Sequence, residues 1–370
     1  MDRHSPNPAP DHRASFRWIF GTVLLTLLLL CLFAAPTVYI DPLFHYHAPL
    51  EQYQYPIHDE RYQNDGITRH FDYDGIITGT SMTENFKTSE ANELFDANFI
   101  KVPYSGAQYK EINDNLTQSY ESGHSIRYII RALDETFLIR DKDAYREDSD
   151  YPLYLYNKNL FDDTNYVLNK TILFDYTLSV PRYTASNNKT TPFDEYANWN
   201  ASCAFGAEAV LSDAALRGMN FHTPVQQTSL TDSDVITIKQ NLQQNVISLA
   251  QEHPETTFYL FFPPYSIVYW ADLYSQGLLN RAIDAEQVAI EELLQTPNIY
   301  LYSFFDDFDL ICGLDNYKDF LHYGEWINSW ILEQFQSDEY LLTQDNYQDY
   351  LAEIRQFYTT FDYTSLNPTG

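Results

Sequence analysis

From Ile19 to Val38 the chain reads IFGTVLLTLLLLCLFAAPTV, 20 residues without a charge. At the helical rise such a run spans about 30 Å, the thickness of a bilayer's hydrocarbon core, and predicts a membrane-crossing helix. Arg3, Arg13 and Arg17 precede it, and no lysine or arginine follows until Arg61. The positive-inside bias therefore places the N-terminus in the cytoplasm and the rest of the chain outside. A cleaved signal peptide is the competing reading, against which stand the length of the run and the poor cleavage neighbourhood at Ala34-Ala35-Pro36. The expected order is a cytoplasmic tail over 1–15, an uncleaved anchor over 16–40 and a linker over 41–72.

From Tyr73 onward, short apolar runs alternate with polar stretches of helical length. Ile76-Ile77 leads into Gly79-Thr80-Ser81, and Asn98–Val102, Arg127–Leu133, Thr257–Phe262 and Asn298–Phe304 read as further strands. Tyr109–Ser122, Asp232–Glu252 and Ala271–Gln295 read as helices, with a last helical region from about His322. Strand and helix in alternation predict parallel strands joined by crossover helices, a doubly wound α/β sheet whose ligands bind beyond the carboxyl ends of the strands. The tract over about 142–228, rich in Tyr, Asn, Asp and Thr, breaks the rhythm and is expected as an insertion in a domain over 73–340. Residues 341–370 read as a C-terminal helical extension.

Charge then narrows the partners. The 370 residues carry 22 Lys and Arg against 52 Asp and Glu, a formal net charge of −30. Nucleic acid is excluded as an expected partner, because a polyphosphate needs a basic surface to displace its counterions. Hydrophobic residues at 44% exceed what a disordered acidic chain would carry, so the acidity coats a packed core. The 31 tyrosines are either core and surface fill or flat faces for sugar rings. Cys31, Cys203 and Cys312 are too few for a disulfide framework or a cysteine zinc site, leaving one Cys203–Cys312 bridge open.

Ser81 follows a predicted strand within GTSMTENF, where the chain turns toward a helix and free backbone amides could hold an oxyanion beside its hydroxyl. Taken alone, a Ser or Thr here is equally a helix cap. Near the other end of the domain, NYKDFLHYGEWIN sets Asp319 three residues before His322. In a helical turn or tight loop the pair shares a face, so that Asp319 could orient an imidazole able to deprotonate Ser81. Such a pair is also common on solvated helix faces.

Together these residues resemble the SGNH/GDSL hydrolase superfamily, in its membrane-anchored DltD-like and alginate-acetylation-like branch. The resemblance spans about Tyr73 to Trp330 and implies a three-layer α/β/α, flavodoxin-like parallel sheet. It implies Ser81 as nucleophile, His322 as base and Asp319 as its orienting partner, with the oxyanion held by the amides of Ser81 and of Gly106 in VPYSGAQY. Where the family offers an asparagine side chain, this chain reads RALDE, with Asp134. Either Asp134 is protonated by burial, or another donor serves, or it has a structural part. FFPPYS also looks familiar from this branch, with Tyr265 or Ser266 as substrate contacts or as plain loop geometry.

The expectation is a membrane-anchored, extracytoplasmic serine esterase or O-acyltransferase acting on acyl esters of a cell-surface polysaccharide or related polymer, with no cofactor. The resemblance also implies a multi-spanning membrane-bound O-acyltransferase as partner. The net charge leans toward a neutral glycan. A catalytically idle glycan-binding or scaffold protein of the same fold is the alternative, and an esterase that only removes acetyl groups is a third reading. His45-Tyr46-His47 lacks companions at metal-ligand spacing, and the Asn-x-Ser/Thr triplets at Asn115, Asn169, Asn188 and Asn200 matter only in a eukaryotic secretory pathway.

Overall fold

The computed structural model describes residues 12–146, 151–219, 221 and 225–366. The chain forms two compact units, Met1–Pro56 with Pro152–Thr190, and Ile57–Tyr151 with Thr191–Gly370. The tract expected as one insertion is thus shared, its middle part, Pro152–Thr190, belonging with the N-terminal residues and its two ends with the sheet.

In the first unit, the helix His12–Ile40 contains a span, Ser15–Ile40, of 26 residues with mean hydropathy 2.5 and none of its apolar window buried. By length and composition it could cross a membrane, as a single-pass anchor or a signal sequence. At its C-terminal end, Thr37 and Thr177 share a hydroxyl–hydroxyl bond of 3.0 Å, and the Tyr55 hydroxyl donates to the Ile40 carbonyl at 2.8 Å. Asp41, buried and at φ 49°, accepts the amides of His45, Tyr46 and His47 and the Tyr166 hydroxyl. His45 lies 3.2 Å from Asp163 and packs edge-on to Tyr166, and the Tyr46 hydroxyl donates to the same carboxylate at 3.1 Å.

The second unit is built on a six-stranded sheet in the order β2-β1-β3-β4-β5-β6. Its strands are β1 (Gly75–Gly79), β2 (Phe99–Pro103), β3 (Tyr128–Ala132), β4 (Thr257–Phe262), β5 (Ile299–Ser303) and β6 (Leu341–Leu342). The first five are parallel, and β6 pairs antiparallel with β5. Helices cover both faces, which is why Ile76-Ile77, Ile129-Ile130 and Leu260–Phe262 are apolar without alternation. The expected all-parallel sheet is corrected at this edge, where two residues of the expected helical extension form a strand. Winding reverses between β1 and β3, so the crevice for a ligand opens beyond the ends of those strands.

Asp232–Glu252 runs as one helical segment through a π turn at Gln243–Ile247, started by a capping box between Thr231 and Asp234. The expected helix Ala271–Gln295 is instead two, Ile267–Gln276 and Leu279–Leu293, separated at Gly277, whose φ of 75° ends the first. A Cβ there would lie 2.6 Å from the Gln226 carbonyl oxygen, so only glycine fits the break. Cys203 and Cys312 are both free thiols.

Candidate active site

β1 ends at Gly79, φ 149°, where a Cβ would come within 2.8 Å of the Thr83 methyl and 3.0 Å of Ala132. The bare backbone lets the chain turn sharply, and Ser81–Thr83 forms a single 3-10 turn capped by Thr80, which accepts the Met82 amide. The next α-helix, Thr88–Phe95, starts five residues beyond Thr83 and two beyond Phe86. Ser81 therefore heads a 3-10 turn and not the expected helix. One short turn offers free amides but little macrodipole.

His322 lies in a tight loop rather than a helix, closed by the Tyr317–Tyr323 bridge and by the Lys318 amide on the His322 carbonyl. Asp319 organises that loop, accepting the amides of Leu321 and His322 at 2.9 and 2.8 Å and the His322 Nδ1 at 2.8 and 3.0 Å. Burial works against its charged form, but the hydrogen bonds and charge of His322 outweigh it and hold the Asp319 carboxyl below its ordinary range. With Nδ1–H donating to that carboxylate, Nε2 presents its lone pair, and it sits 2.7 Å from the Ser81 hydroxyl. Two further bonds tie the loop to the serine turn: Tyr323 and Asn328 both donate to the Met82 carbonyl, at 3.4 and 3.0 Å.

Gly106 stands in the turn after β2, held in register with β1 by the Tyr104 amide on the Gly79 carbonyl at 2.8 Å. Its φ is 64°, a conformation glycine adopts without penalty. Arg61 and Arg146 both donate to the Ser105 carbonyl, and the Ser105 amide donates to Glu60 Oε2 at 2.6 Å. Among the described residues the amides of Ser81 and Gly106 have no hydrogen-bond acceptor. Burial, then the charge of Glu84, pushes the Glu60 carboxyl well above the ordinary range. Beneath them Lys101, fully buried in β2, donates to the carbonyls of Glu84 and Phe86, and burial pulls its ammonium down to about 7.

Asp134 lies two residues beyond β3, next to the serine turn. Its two carboxylate oxygens accept the Thr80 hydroxyl at 2.8 Å and the Tyr265 hydroxyl at 2.7 Å. Burial raises its pKa, against the pull of those two hydroxyls and the charge of His322. Where the motif resemblance implies an asparagine donor, an acceptor thus braces the residue before Ser81. Tyr265 and Ser266 are fully buried, which favours the loop-geometry reading of the two. Tyr265 faces Asp134, while Ser266 donates to the Phe320 carbonyl inside the His322 loop and caps Ile267–Gln276. Stiffened by Pro263-Pro264, they frame the loop from behind.

Sequence reading missed Trp199. It packs edge-on to His322 with ring centroids 5.7 Å apart, its amide on the Asn85 side chain and the Lys318 ammonium 3.6 Å over its ring. The segment bearing it is fastened by Asn198 and Asn200 to Glu325, in the helix that follows His322. With an activated hydroxyl, an imidazole, an ionised carboxylate and two unoccupied amides, the arrangement can carry out acyl transfer through a serine ester. Among the described residues no group of three or more His, Cys, Asp or Glu side chains is placed to hold a metal ion.

No family model matches the chain. No curated protein matches it either. Among solved structures it is similar to one provisionally described as a platelet activating factor from Streptococcus pneumonia, at 12% identity and a TM-score of 0.35, covering 79% of this chain and 90% of that one. A likeness this slight carries no argument about fold or chemistry.

Proposed function

We propose that this chain is a membrane-anchored serine esterase or O-acyltransferase of the SGNH type. The observation that supports the reading above all is the relay from Asp319 through His322 to Ser81, at 2.8 and 2.7 Å. His322 Nε2 takes the Ser81 proton as Oγ bonds to the acyl carbon of an ester, and the Ser81 and Gly106 amides hold the oxyanion. The tetrahedral centre collapses by breaking the bond to the leaving alkoxide, which receives the proton from His322. A second hydroxyl, of a sugar or of water, then attacks the acyl-serine with His322 again as base.

The acyl group is handled outside the membrane, on a cell-surface polysaccharide or related polymer, with a membrane-bound O-acyltransferase as partner. This finer part rests on the apolar helix with its preceding arginines and on the resemblance of the motifs. Incubating the full chain in detergent with a chromogenic acetyl ester and a fluorophosphonate tests the chemistry. Ester turnover and labelling should both vanish in Ser81→Ala; a variant that turns over ester at the parental rate removes the assignment. A catalytically idle scaffold is favoured by one observation, that Asp134 is an acceptor where the family has a donor, and it would leave the ester intact and take no label.

A further inference from the structure

The first unit carries a feature that the acyl chemistry does not use. Phe161 is 90% exposed, Leu160 77% and Phe174 55%, with Leu153 exposed as well. All four lie in Pro152–Thr190, the part of the chain that folds against the end of the apolar helix. Thr177, three residues after Phe174, bonds to Thr37 in the last turn of that helix. Asp163, two residues after Phe161, pairs with His45 and accepts the Tyr46 hydroxyl just beyond it. Two residues of extended chain reach only about 7 Å. A helix of 26 residues is about 39 Å long, beyond the roughly 30 Å of hydrocarbon, so its last turn lies at headgroup depth. Half-exposed Tyr39 fits that level, where aromatic rings collect at the edge of the bilayer.

Charge points the same way. Pro152–Thr190 holds Lys158, Lys170, Arg182 and Lys189 against Asp162, Asp163 and Asp175, in a chain whose net charge is −30. Acidic residues are thinned where anionic lipid would repel them, and Lys170 is exposed four residues before Phe174. We propose that Leu153, Leu160, Phe161 and Phe174 dip into the headgroup–acyl boundary of the leaflet into which the helix emerges, seating the first unit on the bilayer. The occupant is lipid: these side chains project from turns and short helices with lysines between them, the pattern of an interfacial anchor. The inference rests on the membrane-anchor reading above.

The test is a spin label on Phe161→Cys or Phe174→Cys in the full chain with Cys31→Ser, Cys203→Ser and Cys312→Ser, held in nanodiscs of phosphatidylcholine and phosphatidylglycerol. Collision with oxygen is compared with collision with a water-soluble nickel chelate. Labels at Phe161 and Phe174 should be rich in oxygen and poor in nickel, like a label at Leu28→Cys and unlike one at Ile236→Cys, which is exposed in the second unit. Nickel-accessible Phe161 and Phe174 labels beside a lipid-like Leu28 label overturn this inference alone. Labels shielded from both reagents overturn it in favour of a protein contact. A nickel-accessible Leu28 label defeats the anchor and this inference with it.

Discussion

The Thr80 hydroxyl donates 2.8 Å to the buried Asp134 carboxylate, so the residue before Ser81 is fixed from the end of the neighbouring strand. Tyr265 completes the brace from β4's side at 2.7 Å. Asp134→Leu keeps the bulk and leaves two buried hydroxyls without an acceptor. It should cost about 2–5 kcal/mol and lower ester turnover, while Asp134→Asn, which can rearrange with both hydroxyls, costs less. Denaturant unfolding measures the difference. Equal stability of the leucine variant and the parent would show that the brace does nothing.

Asp319→Asn preserves shape but removes the charge that fixes the His322 tautomer. Turnover of an acetyl ester should fall on the order of 10²–10⁴-fold. Because the side-chain oxygen can still accept the Leu321 and His322 amides, the melting temperature should barely move. A large stability loss with unchanged turnover would assign Asp319 to loop structure alone.

At Gly106 any side chain meets a φ of 64° and a Cβ position 3.4 Å from the Arg146 guanidinium. Gly106→Ala should strain the turn by about 1–2 kcal/mol and shift its amide. If that amide holds the oxyanion, kcat falls on the order of 10²-fold with KM little changed. Unaltered kcat removes Gly106 from the oxyanion site.

Glu60 accepts the Ser105 amide beside Gly106, and burial, then the charge of Glu84, raises its carboxyl well above the ordinary range. Loss of that proton as pH rises adds a second negative charge near Glu84, so ester turnover should decline on the alkaline side. Glu60→Gln, which stays neutral and keeps an oxygen for the Ser105 amide, should remove that decline. A decline that persists unchanged in the variant would assign it to another group, such as Lys101, which burial lowers to about 7.

Glu286 is fully buried, accepting from Tyr350 and Ser303, and burial pushes its pKa from 4.5 up to about 8. The folded chain keeps a proton that the unfolded chain releases, so stability falls as pH rises from about 4.5 to about 8 and levels off above. Glu286→Gln should flatten that decline without removing it, since Glu135 and Asp306 are raised to about 7 and about 6 by burial. Melting temperatures across this range give the slope, and a slope unchanged in the variant would exclude Glu286 from it.

The strands were legible because a sheet covered on both faces needs runs such as TFYLFF and YIIRA, and no soluble helix needs them. Asp319 and His322 were legible because three residues suffice to bring a carboxylate onto an imidazole in a turn as well as in a helix. Trp199 was not, since one aromatic among many carries no spacing signal, and its place depends on contacts with Asn85 and Lys318 far away in sequence. The pairing of Pro152–Thr190 with the apolar helix was hidden for the same reason. Gly277 misled because glycine within a helical pattern is tolerated often enough to pass unnoticed.

The chain leaves the sheet-bearing unit after Tyr151 and re-enters it at Thr191. Cutting before Ile57 to obtain a soluble fragment would leave Pro152–Thr190 stranded, with Tyr166 deprived of Asp41 and Thr177 of Thr37. Such a fragment would display a sticky, half-dismantled loop and clump for reasons unrelated to Ser81. A fragment free of the apolar helix therefore has to lose Pro152–Thr190 together with the N-terminal residues.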